Sequence, residues 1–168
     1  INWYKHGTSL AVLNMPFEKN LTGTNTKDYS QFNNDGNITG ATWNSTGGYD
    51  GFGAYSFPGN SSSLYVPDNA DGSLDPSKNL TIMSWIRLSD AVANQPTYAD
   101  IANKENFGSN GWLLTFRTDQ GGDPLAFRFA GSAGCLVQWS PGTYFDDLAW
   151  HFVSATYDGT RIDIYVDG

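Results

Sequence analysis

Hydrophobic positions along this chain come in short runs that alternate with polar ones, and each run is cut off within a few residues by Gly, Pro, Asn or Asp. The pattern predicts strands over residues 54–57, 63–66, 80–88, 112–118, 125–129, 136–139, 150–157 and 161–166. No window carries a sustained helical period. In 80–88, Leu80, Ile82, Ile86 and Leu88 alternate with Thr81, Met83, Trp85 and Arg87, so both faces hold apolar groups, as in a strand buried within a sandwich. The last hairpin is the clearest signal. Two alternating runs flank Asp158-Gly159, which predicts a two-residue type I′ turn. That register puts Val153, Ala155 and Tyr157 on one face with Ile162, Ile164 and Val166, and turns Arg161, Asp163 and Asp167 to the other. Residues 10–17 predict one more strand, which Pro16 places at an edge. From 18 to 53 the chain is polar, with isolated Tyr29, Phe32, Trp43, Tyr49 and Phe52. It reads as an ordered excursion, because those rings need something to pack on. Eight or more strands without helices define an all-β sandwich, jelly roll or barrel.

Composition sharpens this. The 168 residues suffice for one domain, and Gly, Asn, Ser and Thr supply 63 of them while charged residues supply 15%, so the surface is polar through neutral groups. A net charge of −8 repels polyanions and removes nucleic acid and anionic membranes as expected partners. Cys135 is the only cysteine, so neither an intrachain disulfide nor a thiolate zinc site can form. No apolar run approaches the roughly 18 residues a membrane helix needs. The chain starts at Ile1, and the expectation is a module cut from a longer protein. Asn20, Asn37, Asn44, Asn60 and Asn79 each open an Asn-x-Ser/Thr sequon in loop-like sequence, which predicts an exported glycoprotein, extracellular or at the cell surface.

Several segments resemble the laminin G-like jelly roll, a branch of the concanavalin A-like lectin/glucanase sandwiches. They are Met15-Pro16-Phe17-Glu18; Asp28-Tyr29-Ser30 leading to Asn34-Asp35-Gly36-Asn37; Gly51-Phe52-Gly53-Ala54-Tyr55-Ser56-Phe57; and the run from Trp150-His151-Phe152 through Tyr157-Asp158-Gly159 to Tyr165-Val166-Asp167-Gly168. Residues 80–88 with Trp85 match the core strand of that family. The resemblance spans residues 10–168 and implies a jelly-roll β-sandwich of two antiparallel sheets. Two departures stand out. Pro58 replaces an acidic residue that usually precedes Gly, and the chain stops at Gly168, where similar domains continue through a further hairpin strand and a returning one. The sandwich is therefore expected to lack its last strands, which the rest of the chain or a neighbouring subunit would supply. Residues 1–9 resemble the closing strand of an immunoglobulin-like repeat, or form a connector.

Retaining glycoside hydrolysis needs two carboxyls about 5 to 5.5 Å apart. Glu18 and Glu105 are the only glutamates and lie in different segments, and the adjacent Asp146 and Asp147 would point to opposite faces of a strand. A nucleophile triad is unsupported, since His151 opens the terminal hairpin and His6 lies in the N-terminal segment; no enzyme is expected. The tract from Asp28 through Ser30, Asn33 and Asp35 to Gly36 offers carboxylate, amide and hydroxyl oxygens in a Gly-containing loop, the hard set that Ca2+ takes. The bland alternative is a loop whose Asp and Asn side chains bond their own backbone. The resemblance adds a structural Ca2+ near this loop, with Glu18 and Asp28 among its ligands. For glycan binding, the candidate platforms are Trp112, Trp139, Tyr144 and Phe145, with Asn106, Asn110 and Asp119 nearby in sequence. The expected function is a non-catalytic surface module for adhesion or assembly, in its specific form a filament subunit completed by a neighbour's strand. A calcium-dependent glycan-binding lectin is the alternative. Partners are then glycans, other surface proteins or copies of the same chain.

Overall fold

The computed structural model describes residues 4–18, 23–59, 61–105, 111–122, 124–129, 136–140 and 142–168. The chain divides into two compact units, Ile1–Asp75 and Pro76–Gly168.

The first unit is built from very short strands. β1 (Tyr4–Lys5) and β2 (Thr8–Ser9) form a hairpin around His6 and Gly7, both with positive φ. β3 (Asn25–Thr26), β4 (Gly36–Thr39), β5 (Thr42–Asn44), β6 (Ala54–Ser56) and β7 (Ser63–Tyr65) follow. They pair antiparallel as a three-stranded sheet in the order β3-β4-β7 and a separate β5-β6 hairpin. From residue 23 to 53 the polar excursion is ordered, but Tyr29, Tyr49 and Phe52 stay exposed rather than buried. Trp43 Nε1 donates to Phe17 O at 2.8 Å, and Phe17 meets Tyr55 edge-on at 5.4 Å. Gly53 permits this approach, because a Cβ there would sit 2.2 Å from Phe17 O. Residues 10–17 do not form the expected strand. They run as irregular chain, held instead by side-chain hydrogen bonds from residues 28–34.

The second unit carries the longer strands: β8 (Leu80–Ile86), β9 (Tyr98–Asn103), β10 (Trp112–Arg117), β11 (Leu125–Phe129), β12 (Leu136–Trp139), β13 (His151–Tyr157) and β14 (Ile162–Val166), with one 3-10 turn at Val92–Asn94. They form two antiparallel sheets, β12-β11-β10-β9 and β14-β13-β8. Both contribute to one core. Leu114, Phe116, Leu125, Phe127 and Phe129 come from the first sheet, and Val153, Ala155, Tyr157 and Ile162 from the second. Phe129 packs on Tyr157 with ring centroids 4.4 Å apart. Each Leu, Phe, Ile or Val side chain of this layer, taken fully out of water, contributes about 1.5–3 kcal/mol, so this layer dominates the stability of the unit. The architecture is all-β, as the strand pattern predicts, and it is the jelly-roll sandwich that the resemblance implies.

Three local expectations change. The terminal hairpin keeps its predicted faces, with Val153↔Val166, Ala155↔Ile164 and Tyr157↔Ile162, but its loop has four residues rather than two. Asp158 explains the difference: its Oδ1 accepts from the Thr160 and Arg161 N–H groups, both at 2.8 Å, and closes a wider turn. β8 is covered on one face only, leaving Met83 and Trp85 exposed, with Trp85 leaning on Phe152 at 5.4 Å. β9 was not predicted, because its sequence Tyr-Ala-Asp-Ile-Ala-Asn is short of apolar side chains; its pairing with β10 compensates, through a register shift between Leu114 and Thr115.

Candidate functional site

The oxygen-rich loop proves to be a clasp. Asp28 is fully buried. Its Oδ1 accepts from the Asn14 and Ser30 N–H groups at 2.8 Å, and its Oδ2 accepts from Asn34 N–H at 2.8 Å and Ser30 Oγ at 2.5 Å. Buried Asn34 extends the network: its Nδ2 donates to Val12 O and Ser73 Oγ, and its Oδ1 accepts from Asn69. Asp35 turns outward to Lys27, whose Nζ lies 2.9 Å from Asp35 Oδ1 and 3.4 Å from Asn33 Oδ1. Glu18 is exposed. In this geometry the oxygens expected to face Ca2+ bond to protein donors instead. The Asp28 lone pairs are taken by four donors, and the ammonium of Lys27 fills the cation position between Asn33 and Asp35. Among the described residues, no three His, Cys, Asp or Glu side chains group as metal ligands.

Of the four platform candidates, Trp139 and Tyr144 come together as exposed rings, whereas Trp112 packs on the core and Phe145 is buried. Trp112 faces inward and packs against the core, so it presents no ring to a ligand. Trp139, at the end of β12, and Tyr144, in the turn before β13, are 37% and 45% exposed and meet edge-to-face at 5.7 Å. Buried Phe145 supports both, 6.1 Å from Trp139 and 5.5 Å from Tyr144. Asn106 and Asn110 lie outside the described residues, and Asp119 is occupied by Arg117 at 2.6 Å. Of the sequon residues, Asn37, Asn44 and Asn79 are exposed, while Asn20 and Asn60 lie outside the described residues.

What orients the Trp139–Tyr144 edge was not legible as a site in the sequence. His151 is buried beneath it, 5.1 Å from the Tyr144 ring and 4.9 Å from that of Phe145. Its Nδ1 lies 2.8 Å from Asp167 Oδ2, and its Nε2 lies 3.0 Å from Asp147 Oδ1. Asp167 Oδ2 also accepts from Tyr144 Oη at 2.9 Å, and its Oδ1 accepts from Phe152 N–H at 2.8 Å. Burial opposes a charged imidazole here, but hydrogen bonds to Asp167 and Asp147, with their charges, outweigh it and raise the His151 pKa above its ordinary value. The partners respond in kind. The hydrogen bond from His151 is the largest influence holding Asp167 low, and the Ala149 N–H followed by His151 does the same for Asp147. The signal was the pairing of His151 with Asp167 across the two hairpin strands, visible once their register is fixed.

The acidic residues weighed for hydrolysis go separate ways. Asp146 Oδ1 accepts from Val92 N–H at 2.9 Å, and Asp147 serves His151. Glu105 is buried in the second unit and pairs with Arg128, whereas Glu18 belongs to the first unit. Arg128 and Arg117 flank a depression on the outer face of the four-stranded sheet, floored by Leu113, Thr115 and Ala126, and the Arg117 guanidinium lies 5.2 Å above Tyr98.

The class that emerges is a jelly-roll sandwich with an exposed aromatic edge braced by a buried histidine held between two partly exposed aspartates. A profile of the laminin G type, described as the concanavalin A-like lectin/glucanases superfamily, matches residues 58–168, and the chain belongs to that superfamily. No curated protein matches the chain. Among solved structures, the binding domain of botulinum neurotoxin DC in complex with rat synaptotagmin II is similar, with a TM-score of 0.65 and 18% identity. The match covers 92% of this chain and 37% of that one, so the likeness is one of fold.

Proposed function

We propose that this chain is a non-catalytic binding module of an exported surface protein, and that it serves adhesion or assembly by holding a glycan on the Trp139–Tyr144 edge. The observation that carries the reading is the fixed posture of two exposed rings beside a carboxylate. Tyr144 is held by its hydroxyl on Asp167, Trp139 stands edge-on to it, and half-exposed Asp147 lies in the same turn as Tyr144. A sugar offers an apolar face for such rings and hydroxyls for such a carboxylate, and prefixed rings lose little entropy when it docks. Lectins in the same superfamily support the reading, as does a similar fold within a domain named for binding.

An immobilised glycan array probed with the wild-type chain and with Trp139→Ala tests it. Retention of a defined glycan group is expected, with roughly tenfold weaker binding for Trp139→Ala, the equivalent of about 1.4 kcal/mol. Trp112→Phe should bind as wild type does. Absence of retention, or equal binding by Trp139→Ala, overturns the reading.

A further inference from the structure

We infer that His151 is a positioning residue for the aromatic edge and makes its glycan binding pH-dependent, with the edge held in place while the imidazole carries both protons and released when it loses one. The inference rests on the binding reading above and names a control on that same surface.

A neutral imidazole has one N–H and one bare nitrogen, yet both nitrogens of His151 face carboxylate oxygens at 2.8 and 3.0 Å. Only the doubly protonated ring satisfies both. Once a proton leaves, one carboxylate faces a lone pair across a hydrogen-bond distance, inside a site whose other charges are negative. Asp167 cannot readily yield. It takes Phe152 N–H and Tyr144 Oη in addition to the imidazole, and its own N–H donates to Phe152 O at 2.9 Å. Asp147 can, because its side chain is 53% exposed and, among the described residues, holds only the nearby Ala149 N–H besides the imidazole. Asp147 sits in the turn that carries Tyr144, next to Leu148 in a left-handed conformation with φ 57°, a backbone that a non-glycine residue keeps only when its surroundings hold it there. Freeing Asp147 loosens that turn and with it the posture of Tyr144 against Trp139.

The neighbouring groups leave His151 as the titrating element. Asp147, Asp167 and Tyr144 face the ring. Asp146 is engaged by Val92 N–H, and Arg87 lies over Trp150 at 5.3 Å. On β8 the register partner of His151 is uncharged Ile86. Tyr144 stays neutral throughout, since the hydrogen bond to Asp167 raises its pKa.

Nuclear magnetic resonance of the unliganded chain tests the control without any sugar. The His151 imidazole nitrogens and the Trp139–Tyr144 ring contacts are followed from about pH 5 to about pH 9, around the ordinary imidazole value of about 6.5. The imidazole is expected to titrate above that value, with the ring contacts weakening over the same transition. Asp147→Asn, which removes one of the two charges but keeps a polar side chain, should move both transitions to lower pH together. Ring contacts unchanged while the imidazole titrates, or an imidazole titrating at or below the ordinary value, overturn the inference. If the contacts follow the imidazole but an array retains no glycan at any pH, the control stands and the binding reading falls.

Discussion

Replacing Asp28 by Ala removes the acceptor for three backbone N–H groups and one hydroxyl at a single stroke. The Asn34 N–H belongs to a buried residue and loses its partner without access to water; those of Asn14 and Ser30 are half-buried and recover part of theirs. An orphaned buried donor costs about 1–3 kcal/mol, so one full and two partial losses sum to roughly 3–5 kcal/mol. Asp28→Asn should rescue little of this. All four partners are donors, and an amide offers them one oxygen and an NH2 that opposes them. The assay is hydrogen exchange of the full chain in mild denaturant. Amides of Tyr29, bound to Asn14 O, and Ile38, bound to Thr24 O, report the first unit; those of β10, β11 and β13 report the second. Loss of protection is expected in the first set. A variant within about 1 kcal/mol of wild type, or an Asp28→Asn chain as stable as wild type, refutes the reasoning.

Other outcomes follow from the same structure. Excess EDTA should leave the melting temperature unchanged, because Lys27 and backbone donors already satisfy Asp28, Asn33 and Asp35; a lowered melting temperature would place a metal in the fold. The carboxyls of Asp167, Asp147 and Asp158 are held below the ordinary aspartate value, mainly by hydrogen bonds from His151, Ala149 N–H and Arg161 N–H respectively. Stability from depressed carboxyls is fully present above that value, about 3.9, and is lost as pH falls through the folded values. Urea midpoints should hold level from about pH 6 down to about pH 4 and fall below it, while the raised His151 pKa lowers them again as pH climbs above about 6.5; a decline already complete by about pH 5 on the acid side contradicts this. Gly53→Ala places a methyl 2.2 Å from Phe17 O and should cost about 1–3 kcal/mol with loss of the Trp43 indole bond, seen as a blue- or red-shifted tryptophan emission; wild-type stability contradicts the packing.

Apart from β9, the strands of the second unit are legible because Gly, Pro, Asn and Asp end each apolar run and because alternation fixes faces. β11 and β12 match the pattern residue for residue. What alternation does not carry is which face is covered. Trp85 and Trp112 both sit in strands, yet Trp85 lies on an exposed face and Trp112 packs on the core. The first unit was less legible because its order comes from side chains bonding backbone. Residues 10–17 look like a strand but are pinned by Asp28, Ser30 and Asn34, and Asn and Asp in that role leave no periodic trace. A buried carboxylate collecting N–H groups and a calcium ligand share one sequence signature, so the sequence leaves both readings of Asp28 open. At the edge, Trp139 and Tyr144 were identified by type. Their support was not, because Asp147 and Asp167 reach His151 only through the turn before β13 and the β13–β14 register.

The central claim is that ligand meets this protein at the Trp139–Tyr144 edge. Its most direct test is a chemical-shift map of the full chain titrated with the strongest glycan retained on the array, at a pH below the His151 transition. The largest changes are expected at the Trp139 indole, the Tyr144 ring and the Asp147 amide, with the Asp28 clasp silent. Changes centred on the Arg117–Arg128 face or on the first unit, with the edge unmoved, would contradict it.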